Sequence, residues 1–232
     1  MRLHRFFVDE KINRTQEVRF PDGDSRVRQF SKVFRFQPGN QVILLDNSGD
    51  EFVAQIVHMS KQEVKLQVVE QRRNMYRPKR EMYLCISLLK KDNVEWILQK
   101  GTELGVMHFV PLISERVEKK NLNIERAQTI IKEAAEQSGK TVLPTLHEMC
   151  TLSDAIKNFS VPSFVLDFNG KHFHQNNFAE GNAVAVYVGP EGGWSENDRK
   201  IFEEHHISKV SLGDAILRAE TAAISISALL LV

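Results

Sequence analysis

Residues 5–69 show the short-period hydrophobic pattern that is typical of β-strands. Mostly apolar segments at 41–46 and 51–57 lie on either side of the polar turn Asn47–Asp50, and apolar and polar positions alternate over residues 63–69. A further short apolar run covers Arg5–Val8. Several short strands at this spacing, separated by turn residues, predict a small β-barrel.

After residue 80 the pattern changes to strand–helix alternation, which indicates a largely parallel sheet in an α/β domain. Helix boundaries are predicted at Asp92 or Asn93, before Gly105 and Gly139, at the Ser195/Asp198 capping box and at Thr221. The polar, basic stretch 71–80 is the predicted linker, giving domains at residues 1–72 and 73–232. Buried strands are predicted at the mostly apolar runs 83–89, 107–112, 163–168 and 183–188, and a last strand is predicted at 209–212.

Two glycine-containing loops follow the last two predicted strands. The first reads Gly-Pro-Glu-Gly-Gly-Trp-Ser over residues 189–195, and the second runs from Leu212 to Ala222 around Gly213. Glycine has no Cβ, so its backbone can turn tightly and approach a ligand closely. Loops at the carboxyl ends of strands are where open α/β sheets bind ligands, so the two loops predict a small-molecule pocket.

The net charge of +1 conceals an uneven distribution. Residues 1–80 carry 16 Lys and Arg against 10 Asp and Glu, and residues 81–232 carry 15 against 20. A polyanionic partner would explain this basic front half. A solvated surface whose charge asymmetry arose by chance explains it equally well. The two cysteines form no metal or disulfide spacing, and neither a signal segment nor an apolar run of about 18 residues is present. We therefore expect a cytoplasmic protein without a membrane span.

Several common catalytic motifs are absent. The chain has no G-x-G-x-x-G after a strand, no G-x-x-x-x-G-K-[ST] and no G-x-S-x-G, so dinucleotide, nucleotide triphosphate and serine hydrolase sites are not indicated. The histidine pairs 172/174 and 205/206 have no neighbouring carboxylate or cysteine cluster, so we predict no metal site.

The two loops carry a resemblance to a known family. The stretch 189–195, followed by Leu212-Gly213 and by Ile216–Ala222, resembles the signature of SPOUT RNA methyltransferases. More narrowly, with residues 100–106, 133–138 and the front segments 5–8, 33–35 and 38–40, the chain resembles the ribosomal RNA small subunit methyltransferase E family.

The resemblance implies both a fold and an activity. It implies a PUA-like RNA-binding β-barrel followed by a C-terminal SPOUT α/β domain with a deep trefoil knot, an exception to the rule that chains do not thread loops. It also implies a homodimer that uses S-adenosylmethionine to methylate N3 of a uridine in 16S ribosomal RNA, on the assembled small subunit. Two alternatives stay open: methylation of a ribose 2′-hydroxyl or another base, and a non-catalytic rRNA-binding assembly protein.

The implied site falls on three sets of residues. Arg218 would stabilise the anionic uracil edge, unless it forms an ion pair with Glu220 or Glu191. Glu191 would act as a base or orient its loop, unless it is a capping residue. Glu220 and Thr221 are expected to fix the start of the last helix. The RNA contacts would be Arg5, Arg14, Arg28, Lys32 and Arg35, unless these are plain surface charges. The cofactor would lie against Leu166, Phe168, Gly189, Pro190, Glu191, Gly192, Gly193, Leu212, Gly213, Ile216, Leu217, Thr221 and Ala222.

Overall fold

The computed structural model describes residues 3–73, 80–117, 121–174 and 183–232, without the side chain of Lys91. The chain divides into two compact units. The first comprises Met1–Tyr76 with Ala135–Leu143, and the second comprises Arg77–Ala134 with Pro144–Val232. A segment of the later sequence thus belongs to the first unit, which the hydrophobic pattern gave no reason to expect.

The first unit contains a five-stranded sheet formed by β1 (Arg5–Phe7), β2 (Glu17–Phe20), β3 (Gln41–Leu45), β4 (Asp50–Met59) and β5 (Val64–Arg73). The strand order is β1-β3-β4-β5-β2, with β1 parallel to β3 and the other pairs antiparallel. Because β1 and β2 are the two edges, the sheet is a half-barrel among the described residues rather than a closed barrel. Strand β2 and the short helix α1 (Ser25–Arg28) were not predicted from the sequence.

The second unit contains a seven-stranded sheet in which every described ladder is parallel. Its order is β12-β10-β11-β6-β7-β8, and β9 also pairs with β7. This confirms the predicted parallel α/β sheet. The strands are β6 (Met82–Ser87), β7 (His108–Ile113), β8 (Thr145–Leu146), β9 (Cys150–Thr151), β10 (Ser163–His172), β11 (Val184–Val188) and β12 (Ser208–Ser211).

Five helices connect or follow these strands in the described part of the chain: α2 (Lys91–Leu104), α3 (Ile124–Ser138), α4 (Leu152–Asn158), α5 (Glu196–Glu204) and α6 (Ala219–Leu231). The predicted ends at Gly105 and Gly139 are confirmed, with φ of 106° and 78°. The capping box is also confirmed, since the Ser195 hydroxyl accepts from the Asp198 N–H at 2.9 Å. Gly105 and Gly139 occur there because the left-handed backbone is open to glycine without steric cost.

Two predicted helix starts are wrong. Helix α2 begins at Lys91 with Lys90 as N-cap, rather than with Asp92 or Asn93, and helix α6 begins at Ala219 with Arg218 as N-cap, rather than at Thr221. In both cases the N-cap side chain makes no capping hydrogen bond. Tertiary contacts therefore set these starts, which the local preference for Ser, Thr, Asp or Asn could not reveal.

The parallel sheet is covered on both faces. Leu84, Ile86 and Val186 belong to one buried cluster with helices α2 and α6, whereas Cys85 and Tyr187 belong to another with Trp194 and α5. Successive strand residues point to opposite faces, so a strand buried on both sides reads as one continuous apolar run. This packing places the middle of β10 and the carboxyl end of β11 beside the two glycine loops.

Candidate active site

A cleft of about 790 Å³ lies beside residues 166–169 of β10 and the carboxyl end of β11 in the second unit. Its volume is within the range of roughly 300–1,000 Å³ that is common for small-molecule sites. A smaller pocket of about 120 Å³ shares the Leu166, Phe168 and Ile216 walls. The cleft brings together most of the predicted cofactor residues: Leu166, Phe168, Gly189, Pro190, Glu191, Gly193, Ile216, Leu217 and Ala222.

The first glycine loop is held against the cleft by Trp194. The indole is buried, and its Nε1–H donates to the Leu166 carbonyl at 3.1 Å. A Cβ added at Gly189 would lie 3.1 Å from Trp194 Cε2, closer than ordinary van der Waals contact. Gly189 thus permits the close packing of loop and indole. Trp194 also packs on Phe202 at a centroid distance of 4.9 Å, so the indole acts as a packing residue.

The second glycine loop forms the opposite, more open wall. Its residues 214–218 are exposed, and 84% of Ile216 is accessible to solvent. Gly213 has a φ of 138°, a conformation that side chains rarely adopt, and the Ser211 hydroxyl donates to its carbonyl at 2.9 Å. An exposed apolar side chain on a cleft wall is positioned to cover an apolar ligand surface.

Four predicted cofactor residues lie outside the larger cleft. Gly192 instead accepts a 2.8 Å hydrogen bond from the Arg116 guanidinium through its carbonyl. Gly213 is half-buried just before the exposed residues of the cleft wall, and Thr221 is an exposed residue in the first turn of α6. Leu212, a fourth predicted residue, lines the smaller pocket. We keep all four as proposed contacts.

The charged side chains of the cleft differ in their partners. Glu191 is exposed, and its carboxylate accepts from the Lys90 N–H at 3.2 Å at the start of α2. Arg218 is exposed and forms no ion pair with any described residue, so the possible bridges to Glu220 or Glu191 are not made. One oxygen of Glu220, Oε2, is buried and has no hydrogen-bond donor among the described residues.

An ion pair that sequence reasoning missed also lines the cleft. The Asp167 side chain is only 4% exposed, and its carboxylate lies 3.3 Å from the Arg199 guanidinium. The two residues are 32 positions apart, on β10 and α5, so no local spacing signals their contact. The pair links the middle of β10 to α5, beside Leu166 and Phe168.

The predicted RNA contacts all lie in the first unit. Arg28 at the end of α1 is exposed, as are Lys32 and Arg35 in the segment that follows, and Arg14 donates to Gln71 at 3.0 Å at the surface. Arg5 differs because its side chain is 17% exposed and its Nε lies 2.9 Å from Glu51. An arginine held in a largely buried ion pair is less available to a phosphate, so Arg28, Lys32 and Arg35 are the better candidates.

The remaining candidate groups form no metal centre within the described ranges: no set of three His, Cys, Asp or Glu side chains gathers as ligands there. His205 and His206 are exposed, and His172 lies 3.5 Å from Asp214. Cys85 is fully buried, and burial raises the pKa of its thiol, which makes it a poor nucleophile. No helix in the described ranges has the length and apolarity needed to cross a membrane.

Comparison with known proteins shows which class of protein this chain belongs to. The sequence model of the RNA methyltransferase domain matches residues 76–231, and that of the RNA methyltransferase PUA domain matches residues 32–69. These matches and the parallel α/β sheet define a PUA-containing RNA methyltransferase fold.

The particular family follows from the relatives. A ribosomal RNA small subunit methyltransferase E from Helicobacter pylori is 31% identical over 80% of this chain and 82% of its own length, and that of Bacillus subtilis is 28% identical over 95% and 93%. The structure of the corresponding Neisseria gonorrhoeae enzyme bound to S-adenosylmethionine superposes with a TM-score of 0.89, is 27% identical, and covers 98% of this chain and 96% of that one. The chain belongs to the ribosomal RNA small subunit methyltransferase E family.

Proposed function

We propose that this protein transfers a methyl group from S-adenosylmethionine to N3 of a uridine in 16S ribosomal RNA. The observation that carries the proposal is the cleft of about 790 Å³ between two glycine loops, in a chain whose Neisseria gonorrhoeae relative binds S-adenosylmethionine. The site would serve RNA as substrate, because residues 32–69 match a PUA domain of RNA methyltransferases.

The residues of the cleft fit the proposed methyl donor. Leu166, Ile216 and Leu217 supply apolar walls for an adenine ring, and the glycine loop supplies backbone groups within reach. The donor supplies an electrophilic methyl group on a sulfonium sulfur. Gly170 is also compatible with the knotted crossing, because a Cβ there would lie 2.5 Å from the Val210 nitrogen where β10 shifts register against β12.

Arg218 is the residue proposed to stabilise the reacting base. Loss of the N3 proton leaves negative charge on the uracil ring, and a positive group placed there in advance lowers the barrier. Arg218 is suited to this role because it faces the cleft, is exposed and forms no ion pair among the described residues. Glu191 is proposed to orient the loop through its hydrogen bond to the Lys90 N–H.

RNA would be held mainly by the first unit. Arg28, Lys32 and Arg35 present exposed positive charge for the phosphate backbone. The uridine must be unpaired or flipped out, since N3 lies on the pairing edge. An assembled small subunit as substrate would place the protein in the cytoplasm.

A homodimer through the second unit is also proposed. Helix α6 is apolar over most of its length, and Leu229 and Val232 at its end are 45% and 71% exposed. Apolar surface of this kind is commonly covered in an oligomer. Sedimentation equilibrium that gave only monomer at micromolar concentration would refute this part alone.

The test of the proposal is methylation of small subunits from a strain that lacks the gene. Nucleoside mass spectrometry should detect 3-methyluridine after incubation with the protein and S-adenosylmethionine. Arg218→Ala should lower kcat about 100-fold or more, since removal of one such charge commonly costs that much, with little change in RNA affinity. Appearance of a 2′-O-methyl mark without 3-methyluridine would favour methylation of a ribose 2′-hydroxyl. If no mark forms and calorimetry detects no binding of S-adenosylmethionine, a non-catalytic assembly protein would be favoured.

A further inference from the structure

Glu220 is the acidic residue of the cleft whose carboxylate retains an unpartnered oxygen. Its Oε2 is buried without a donor among the described residues. By contrast, Asp167 lies 3.3 Å from Arg199, and Glu191 accepts from the Lys90 N–H. A buried acceptor without a partner costs free energy. Glu220 lines a ligand-sized cleft, so a ligand that donates a hydrogen bond to this carboxylate would relieve the cost.

Arg218 and Glu220 together define what that ligand must look like. They lie two residues apart and both face the cleft, yet the structure records no ion pair between them. A ligand that contacts both would offer an acceptor to the guanidinium and a donor to the carboxylate. The imide edge of uracil has this pattern, because its N3–H is flanked by two carbonyl oxygens.

A second ligand group with a similar pattern is the ammonium and carboxylate pair of an amino acid, which S-adenosylmethionine also carries. The position of Glu220 in the first turn of α6 argues against the ammonium. The amino end of a helix carries partial positive charge, so it disfavours a cation and favours a ring that becomes anionic. The helix end decides only between these two ligands, and the buried oxygen is what indicates the contact.

We propose that Glu220 accepts the hydrogen of uracil N3 and thereby both selects uracil and receives its proton. Cytosine has a lone pair at N3 and would leave the carboxylate unpaired and repelled. As the proton passes to the carboxylate, the N3 electron pair forms the bond to the methyl carbon. The carbon–sulfur bond breaks with its electrons on sulfur, so the sulfonium donor becomes a neutral thioether and Glu220 becomes a neutral acid.

The inference rests on the proposed function and is tested with Glu220→Gln in the full-length protein. Glutamine keeps the side-chain size and one acceptor oxygen but cannot take the proton. We expect kcat for 3-methyluridine formation to fall about 100-fold or more, as for loss of a general base, and the affinity for S-adenosylmethionine to stay within about threefold by calorimetry. Glu204→Gln is the matched control, since Glu204 is an exposed residue at the end of α5, away from the cleft.

A binding measurement tests the selection of uracil separately from the methylation rate. With S-adenosylhomocysteine present, the unmodified protein should bind a short RNA spanning the methylated nucleotide at least about tenfold more tightly with uridine than with cytidine at that position. Glu220→Gln should lose most of this preference, because its amide can also donate to cytosine N3. This measurement on the unmodified protein remains decisive if the variant does not fold.

The outcomes distinguish this inference from the proposed function. If the unmodified protein forms no 3-methyluridine, the proposed function fails first, and the role of Glu220 in it falls too. If the unmodified protein is active and Glu220→Gln matches its rate, or uridine and cytidine RNAs bind equally, only the role of Glu220 is overturned. A loss of S-adenosylmethionine affinity beyond about tenfold would instead assign Glu220 to the donor and would also overturn the inference.

Discussion

The packing of Gly189 against Trp194 predicts that one added methyl group will disturb the cleft. In Gly189→Ala the new Cβ would lie 3.1 Å from Trp194 Cε2 and 3.2 Å from Nε1. The indole is 3% exposed and packs on Phe202, so it has little room to retreat. Any retreat weakens its 3.1 Å hydrogen bond to the Leu166 carbonyl, which lies at the cleft.

The magnitude follows from these two contacts. Overpacking by one methyl group costs about 1–3 kcal/mol in a tight site, and a strained hydrogen bond adds up to about 1 kcal/mol. For a unit of this size, the thermal midpoint should fall by roughly 2–4 °C for each kcal/mol. Because the disturbed carbonyl and loop line the cleft, the affinity for S-adenosylmethionine should fall as well.

Thermal unfolding and calorimetry would check this prediction. Gly192→Ala is the control for thermal unfolding only, because Gly192 is itself a proposed cofactor contact. A Cβ at Gly192 would lie 3.7 Å from Arg116 Cδ, an ordinary contact, so its thermal midpoint should move by no more than about 1–2 °C. If Gly189→Ala unfolds at the same temperature as the unmodified protein and binds S-adenosylmethionine equally well, the packing of Gly189 on Trp194 does not hold this loop in place and the prediction is refuted.

Three further predictions concern the second unit. Ser195→Ala removes one side of a buried capping box and should lower the free energy of unfolding by about 0.5–2 kcal/mol in denaturant titration; an unchanged midpoint would show that α5 does not depend on its cap. Burial raises the pKa values of Cys85 and Cys150, so a disulfide reagent at neutral pH should label Cys85 only on unfolding and Cys150 slowly; rapid native labelling of both would contradict the packing. Burial and the nearby His108 lower the pKa of His147, so folding favours its neutral form. Its contribution to the free energy of unfolding is therefore complete above about pH 6.5 and is lost as the pH falls. Unfolding midpoints at roughly pH 5 and 7.5 should therefore differ less in His147→Gln than in the unmodified protein, and an equal difference would count against this assignment.

Much of the fold could be read from local patterns because those patterns follow from local physics. Mostly apolar runs predicted β6, β7, β10 and β11, since a strand buried on both faces is rich in apolar residues, and a shorter run around Val210 predicted β12. The stops at Gly105 and Gly139 were predicted because a left-handed helix end favours glycine. The start of α6 was misplaced because its N-cap, Arg218, makes no local capping bond.

The candidate site was predicted only in part. The glycine loops could be located because their local sequence is distinctive, and the cleft gathers nine of the thirteen predicted cofactor residues. The role of Arg218 came from the family resemblance and stays a prediction. The Asp167–Arg199 pair and the unpartnered oxygen of Glu220 were missed, because each depends on what other segments place beside the side chain. Glu220 had been expected only to fix the start of the last helix.

The sequence alone determined that this protein has a strand-rich front part, a parallel α/β part and two glycine loops at strand ends, because hydrophobic period and glycine geometry are local properties of the chain. The tertiary structure decided which loop residues face one cleft, which acids have partners there, and that residues 135–143 belong to the first unit. Those features depend on burial and on contacts between residues far apart in the sequence, and these exist only once the strands and helices have packed.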